Sequence, residues 1–246
     1  ARDMVFKELD GINLSGKTII ASDIEAAFEV NCPGSEGVLL SAGTGIIAMG
    51  RVAGGNTYRS GGLGHDKDVG SGYWIGKEAM LRIALKENNI YGLPELEEIA
   101  DTICEHANEN EFDIAVESLM NSEDVVSKVA ALTLPILKLA DNGNETAMAI
   151  IQAATMGVSD ILLELTHQLG LDKNHYLFSG SGSLLHNELY LRSLTDELKF
   201  YFPNIKWVFS SVHPAYGAGL LAARFCDIPV NLQSIVKHSN ETDPQS

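Results

Sequence analysis

The 246-residue sequence is poor in cysteine and in basic residues. Its three cysteines, Cys32, Cys104 and Cys226, lie far apart and form no CxxC pair. We therefore expect free thiols in a reducing compartment rather than a disulfide framework. Only 17 lysines and arginines stand against 33 aspartates and glutamates, which gives a net charge of -16. With so little positive charge to neutralise a phosphate backbone, nucleic-acid binding is not expected.

Long apolar runs are also absent. No uninterrupted stretch approaches the roughly 18 apolar residues of a membrane span, and the first residues carry no signal-like pattern. The sequence thus predicts a cytoplasmic protein without membrane association. Its 45% hydrophobic residues are sufficient for a substantial core. In so acidic a chain, an anionic ligand would need backbone N–H groups or a divalent cation to hold it.

The order of predicted elements indicates the fold class. A short strand at 17–21 precedes a helix, and a strand, a glycine turn and a second strand follow at 37–52. Helices are predicted near 75–88, 95–109, 122–140 (with a kink at Pro135) and 144–169, and strands at 175–179 and 205–209 enclose a further helix. This order predicts an α/β fold with a helical insertion. The change from glycine-rich hairpins to helices suggests two domains, 1–70 and 71–246.

Two glycine loops could bind phosphate. Gly43-Thr44-Gly45 lies between two apolar strands, and the loop at 179–183 lies between a strand and a helix. Glycine allows close backbone approach, and N–H groups at such loops bind anions. Each loop taken alone is explained equally well as a simple turn.

Several runs, read in order, resemble one family. They are Ser22-Asp23, Ser41-Ala42-Gly43-Thr44-Gly45-Ile46, Gly61-Gly62-Leu63-Gly64-His65, Asp68-Val69-Gly70-Ser71-Gly72-Tyr73-Trp74-Ile75-Gly76, FSGSGSLLHN (178–187) and HPAYGAGLLAAR (213–224). The resemblance is to the BadF/BadG/BcrA/BcrD-type ATPases, most closely to the N-acetylglucosamine kinases. GSGYWIG is its most specific part.

The resemblance implies an actin-like ATPase (ribonuclease H-like) two-domain fold and an ATP-dependent sugar kinase that uses Mg²⁺. Asp23 would be the general base. The phosphate and nucleotide contacts would come from Gly43, Thr44, Gly45, Gly180 and Gly182, and the sugar contacts from Ser22, Thr44, His65 and Asp68. No residue is assigned to a metal. Sugar and ATP would be the small-molecule partners, and a homodimer is compatible with the family.

Departures from the family pattern leave alternatives open. The DGGGT-type phosphate-1 loop is missing from ARDMVFKELDGINLSGKT, so we expect an incomplete first domain that is not a competent kinase alone. Leu63 replaces the usual Trp and Ile46 the usual Ser, which leaves the sugar undecided. A non-catalytic regulator or ligand-binding protein is the main alternative, and Asp23 could simply cap a helix. A radical-enzyme activator is disfavoured, because Cys32 lies too early and has no second cysteine near it.

Overall fold

A computed structural model describes residues 2–11, 16, 18–32, 36–52, 54, 56–86, 92–172, 174–175, 177–213 and 215–230. The strands are β1 (Gly37–Ala42), β2 (Ile46–Arg51), β3 (Thr57–Gly61), β4 (Leu177–Ser181) and β5 (Lys206–Phe209). The helices are α1 (Arg2–Gly11), α2 (Asp23–Asn31), α3 (Gly72–Ala84), α4 (Pro94–Ala107), α5 (Phe112–Met120), α6 (Val125–Ala131), α7 (Thr133–Asp141), α8 (Glu145–Gln168), α9 (Glu188–Leu198) and α10 (Ala215–Phe225). A 3₁₀ turn, Ser183–His186, precedes α9.

The five strands form one sheet in the order β3-β2-β1-β4-β5. β2 is antiparallel to β1 and β3, whereas β4 is parallel to β1 and β5 is parallel to β4. The carboxyl ends of β1, β3, β4 and β5 therefore lie at the same edge of the sheet. We call this edge, with its residues 43–45, 61–68, 181–183 and 210–213, the loop edge.

The two faces of the sheet are covered by different helices. Alternate residues of β1 point to opposite sides, so Val38 and Leu40 enter the large core while Leu39 packs in a smaller one with Phe28 of α2. The large core contains the helices inserted between β3 and β4, and α10 packs along α2 on the other face. The predicted helical insertion and α/β class are confirmed.

Helix α8 is long and apolar enough to cross a membrane, alone among the described helices. It packs against β2, β3, α7 and α9, and Ile150, Ala154 and Val158 are fully buried. This is the environment of a core helix in a globular domain.

The predicted domain boundary at residue 70 falls inside this sheet. β1 belongs to the first predicted domain and β4 to the second, yet Leu39 pairs with Ser179 and Ser41 with Ser181. The loops 43–45 and 180–183 consequently do not lie on opposite sides of a cleft between 1–70 and 71–246. The sequence shows that the type of secondary structure changes near Ile75. A domain, however, is defined by the contacts of the folded chain, and the sequence does not show these.

Two further expectations about elements need correction. The strand predicted at 17–21 is not formed by 18–21, which have no regular structure. The helix predicted at 122–140 is divided at Leu132 into α6 and α7, so Pro135 lies in the first turn of α7, where its missing N–H leaves no helical bond unmade. Helices α1 and α5 were not predicted.

Candidate active site at the loop edge

The turn Gly43-Thr44-Gly45 is held in place by the start of α3. The backbone N–H of Gly72 donates to the Gly43 carbonyl oxygen at 2.8 Å, and that of Tyr73 to the Thr44 carbonyl oxygen at 3.3 Å. Ser71 caps the helix by accepting a hydrogen bond from the Trp74 N–H. The first amides of α3 are therefore occupied, and GSGYWIG forms the base on which the glycine turn is seated.

This seating determines where the turn's own donors point. The C=O and N–H of a planar trans peptide face in opposite directions. Because the carbonyls of Gly43 and Thr44 face α3, the N–H groups of Thr44 and Gly45 face away from it. Both residues are exposed, so the turn can present two adjacent backbone donors at the loop edge.

Asp68 organises the next loop from a buried position. The residue is only 4% exposed. Its carboxylate accepts hydrogen bonds from the backbone N–H groups of Leu63 at 2.8 Å and Gly64 at 3.3 Å. A methyl group placed on Gly45 would lie 3.9 Å from Asp68 Oδ2. Asp68 thus braces the loop 61–68 beside the glycine turn, with both oxygens engaged by backbone.

The loop after β4 adjoins the glycine turn. Gly182 has φ +92°, and a Cβ there would lie 2.3 Å from the carbonyl oxygen of Ala42, the last residue of β1. A Cβ on Gly43 would lie 3.9 Å from Ser183 Oγ. Gly180 differs, because it is buried within β4 and packs against the Phe209 ring. A ligand at the loop edge can therefore contact Gly182 and Ser183, whereas Gly180 is covered.

Helix α2 crosses the sheet and does not follow one strand. Near its amino end, Glu25 pairs with Arg59 of β3. At its carboxyl end, Asn31 accepts a hydrogen bond from the N–H of Ser210, directly after β5. The exposed Asp23 therefore lies on the β3 side of the sheet, from which the loop 61–68 also leaves.

Ser22 and Glu25 cap α2, and Asp23 occupies its first helical position. The backbone N–H and the hydroxyl of Ser22 both donate to Glu25 Oε2, at 2.7 and 2.8 Å. The Asp23 carboxylate accepts the N–H of the adjoining Ile24 at 2.9 Å. Asp23 therefore shares the capping of α2 with Ser22 and Glu25, through the oxygen that accepts the Ile24 N–H.

His65 and Asp66 form a polar patch on the exposed part of the loop 61–68. The His65 ring meets Tyr73 edge-on at 4.7 Å, and Lys77 Nζ donates to Asp66 Oδ1 at 2.9 Å. The hydrogen bond from Lys77 lowers the pKa of Asp66, and the same contact raises the pKa of Lys77. His65 therefore stands beside an anion that is already partly neutralised.

Two cavities lie near these elements. One, of about 290 Å³, lies between the start of α2 and α10 and is lined by Ser22, Asp23, Ala26, Ala218 and Phe225 among others. The other, of about 420 Å³, lies between α7 and the residues that follow the 181–183 loop. Its lining includes Lys138, Asp141, His186, Asn187 and Arg192.

The loop edge therefore collects the predicted site residues unevenly. Thr44, Gly45, His65 and Gly182 are at its surface, Asp68 and Gly180 are beneath it, and Ser22 and Asp23 are at the amino end of α2, on the β3 side of the sheet. Sequence reasoning missed Glu25, Arg59 and the cavity beside α7. The S-x-x-E spacing of Ser22 and Glu25 was a readable capping signal. No sequence pattern near Arg59 indicates that it pairs with Glu25.

Among the described residues, no group of three His, Cys, Asp or Glu side chains could hold a metal ion. Both carboxylate oxygens of Asp68 accept hydrogen bonds from backbone amides. The side chains described here do not form a Mg²⁺ cage.

The structural match places the sheet and helices in the actin-like ATPase fold class. A candidate N-acetylglucosamine kinase from Chromobacterium violaceum superimposes with a TM-score of 0.62 at 21% identity, covering 82% of this chain and 65% of that one. A family model for the BadF/BadG/BcrA/BcrD ATPases matches residues 25–222, and the chain belongs to that family.

Two curated relatives are kinases. The N-acetylmuramic acid/N-acetylglucosamine kinase of Clostridium acetobutylicum is 26% identical over 214 residues, which cover 86% of this chain and 69% of that protein. The N-acetyl-D-glucosamine kinase of Dictyostelium discoideum is 28% identical over 201 residues, which cover 76% of this chain and 59% of that protein. This chain thus spans about three fifths to two thirds of the relatives it matches.

Proposed function

We propose that the protein is an ATP-dependent sugar kinase that phosphorylates N-acetylglucosamine or a related hexosamine or hexose. One observation carries the proposal. The parallel strands bring the Gly43–Gly45 turn and the Gly182 loop together at one edge of the sheet, and the Glu25–Arg59 pair keeps the end of α2 that carries Asp23 beside β3. The names of the two curated relatives support the same activity.

The glycine turn is proposed to bind the phosphate chain of ATP. Its outward N–H groups are fixed before any ligand arrives, because α3 holds the carbonyls on the opposite side. Preorganised donors of this kind stabilise the charge that spreads over the transferring phosphoryl group. They also suit a chain with a net charge of -16, which otherwise repels anions.

Asp23 is proposed as the general base. Phosphoryl transfer to a sugar needs a carboxylate to accept the hydroxyl proton as the oxygen attacks. The Asp23 side chain is exposed at the helix end, and Ser22 with Glu25 supplies part of the capping. Asp23 Oδ1 accepts the Ile24 N–H, and the second oxygen is proposed to receive the proton of the sugar hydroxyl.

The cavity between α7 and α9 is proposed for the adenosine part of ATP. Its lining includes His186, at the end of the 3₁₀ turn that follows Gly182, so a nucleotide whose phosphates lie at the glycine turn is proposed to extend towards it. Leu134, Leu137 and Leu189 offer apolar contact to a base, and Asn187 and Arg192 offer polar contacts. Mg²⁺ belongs to this proposal as a phosphate-bound ion, since Mg²⁺ commonly combines few protein ligands with phosphates and water.

The sugar is proposed to lie at the outer part of the loop 61–68, beside His65 and Thr44. Asp68 would shape this side without touching the sugar, because its oxygens are bound to the Leu63 and Gly64 amides. Leu63, 71% exposed, is available to cover an apolar face of the ring.

A panel assay tests the proposal. The protein that contains these 246 residues is incubated with Mg²⁺, ATP and single hexoses or hexosamines, and ADP release is measured against a sugar-free control. Sugar-dependent ADP release with N-acetylglucosamine or a close relative is expected. Sugar and ATP binding without turnover would instead favour the non-catalytic regulator. A cytoplasmic location and a homodimer remain part of the proposal, and sedimentation analysis tests the second.

A further inference from the structure

We propose that Glu25 is a positioning residue for the phosphoryl transfer, tying the Asp23 end of α2 to the loop 61–68 through Arg59. This inference rests on the proposed function. It concerns what holds the proposed base at a fixed distance from the proposed sugar side.

The two oxygens of the Glu25 carboxylate serve two different elements. Oε2 accepts the Ser22 N–H and hydroxyl, which fixes the residue directly before Asp23. Oε1 lies 2.8 Å from Arg59 Nη2, on β3. One side chain therefore joins the start of α2 to a neighbouring strand.

Arg59 is itself close to the sugar-side loop. β3 ends two residues later at Gly61, and the N–H of Gly62 donates to the Ile46 carbonyl oxygen at 2.7 Å. Gly61 and Gly62 both have positive φ, +74° and +67°, so the chain turns sharply into the loop there. A displacement between Glu25 and Arg59 would thus change the distance between Asp23 and the loop 61–68.

Packing fixes α2 from Ile24 onwards, because Ile24 and Phe28 are buried at 2% and 0% exposure. Ser22 is half-buried and Asp23 exposed, so the cap and the ion pair orient the end that carries the carboxylate. A misplacement of about 1 Å can cost on the order of 100-fold in rate, because the reacting groups lose their alignment.

A capping box with a surface ion pair could also be purely structural. The side chains of Arg59 and Glu25 are 37% and 22% exposed, and pairs with such exposure contribute little to stability. A purely structural role therefore predicts at most a small change in thermal midpoint and an unchanged kcat. The positioning role predicts a loss of kcat at nearly unchanged stability.

The test measures kcat, sugar KM and thermal midpoint in the full protein. Glu25→Gln keeps an acceptor for Ser22 but loses the ion pair, and Arg59→Ala removes the other partner. Each should lower kcat about tenfold or more and leave sugar KM within about twofold, as expected when alignment rather than binding is lost. Arg59→Lys, which keeps the cation, should restore part of the rate.

A matched ion pair provides the control. Arg82 and Glu78 of α3 have the same 2.8 Å separation and similar exposures of 40% and 22%. Glu78→Gln and Arg82→Ala should leave kcat unchanged. The double variant Glu25→Gln/Arg59→Ala should lose no more than either single variant, because both break one interaction.

The outcomes distinguish a failure of the positioning role from a failure of the proposed kinase function. If the wild type phosphorylates sugar but the Glu25 and Arg59 variants match the α3 controls, the positioning role is overturned and the kinase proposal stands. If their losses multiply in the double variant, the shared role is also overturned. If the wild type transfers no phosphoryl group to any sugar, both proposals fall.

Discussion

The hydroxyl of Tyr190 donates a 2.7 Å hydrogen bond to the carbonyl oxygen of Gly70. Tyr190 is fully buried on α9, and Gly70 immediately precedes the serine that caps α3. Burial raises the pKa of this phenol above its ordinary value. The bond links the helix beside the proposed nucleotide cavity to the base of the glycine turn.

Replacing this phenol tests the link. Tyr190→Phe leaves the buried Gly70 carbonyl unpaired, so we expect a loss of about 1–3 kcal/mol in the free energy of unfolding. Urea denaturation measures it. Tyr58→Phe, at a 36% exposed position on β3, is the control and should change little. Equal stabilities of the two variants would show that the Tyr190 bond contributes nothing.

Two glycines of α10 should respond oppositely to alanine. A Cβ on Gly217 would lie 1.8 Å from the Ala26 carbonyl oxygen, so Gly217→Ala must push α10 away from α2. We expect it to destabilise the fold by about 1–3 kcal/mol, the usual cost of overpacking. Gly219 has nothing within 4 Å, and Gly219→Ala should stabilise by about 0.5–1 kcal/mol through helix propensity. Thermal unfolding compares them, and a stable Gly217→Ala variant would contradict the tight α2–α10 contact.

Asp68 is predicted to shape the loop 61–68. Asp68→Asn keeps the side-chain size but replaces one of two accepting oxygens, so one of the Leu63 and Gly64 amides loses its partner. Those amides should exchange hydrogen about tenfold faster or more, which corresponds to roughly 1.4 kcal/mol or more of lost protection. Asp66→Asn, on the exposed part of the same loop, should leave them unchanged. If the two amides exchange hydrogen at the same rate in both variants, Asp68 does not shape the loop, and the direct sugar contact expected from the sequence would be favoured.

Cys32 should titrate only in strongly alkaline solution. Burial raises the pKa of its thiol from 9.0 to about 11. The folded state therefore keeps a proton that the unfolded state releases, and stability should fall as pH rises from 9 towards 11. Cys32→Ala should remove part of this decline, whereas Cys226→Ala, at an exposed position, should not. An identical pH dependence in both variants would contradict the assignment.

Much of the fold was readable because its strongest patterns are local. The apolar strands around Gly43–Gly45 and the long helix ending before Gly170 were predicted near their observed positions. Ile19-Ile20-Ala21 misled because an apolar triplet has the composition of a strand, whereas strand formation depends on a partner. Helix α5 was missed because it is short and buries only Ala115 and Leu119.

The candidate site could be predicted from the sequence only in part. Glycine positions and the Ser22-Asp23 pair appear in the sequence, and their order was enough to indicate the family. In a sequence, an aspartate that holds a loop cannot be distinguished from one that binds a sugar. The role of Asp68 therefore could not be assigned without its contacts. Arg59 reaches Glu25 only through the folded sheet, and no spacing rule connects them.

The most direct test of the account is the turnover of Asp23→Asn in the full protein. The amide has the shape of the carboxylate, its oxygen can still accept the Ile24 N–H, and the contacts between Ser22 and Glu25 are untouched, so thermal stability and the affinities for sugar and ATP should be nearly unchanged. Without a base to accept the hydroxyl proton, kcat should fall by about 10²–10⁴. Asp113→Asn, in the first turn of α5, is the matched control and should retain full activity. An Asp23→Asn variant that retains most of its kcat would contradict the assignment of Asp23 as the catalytic base.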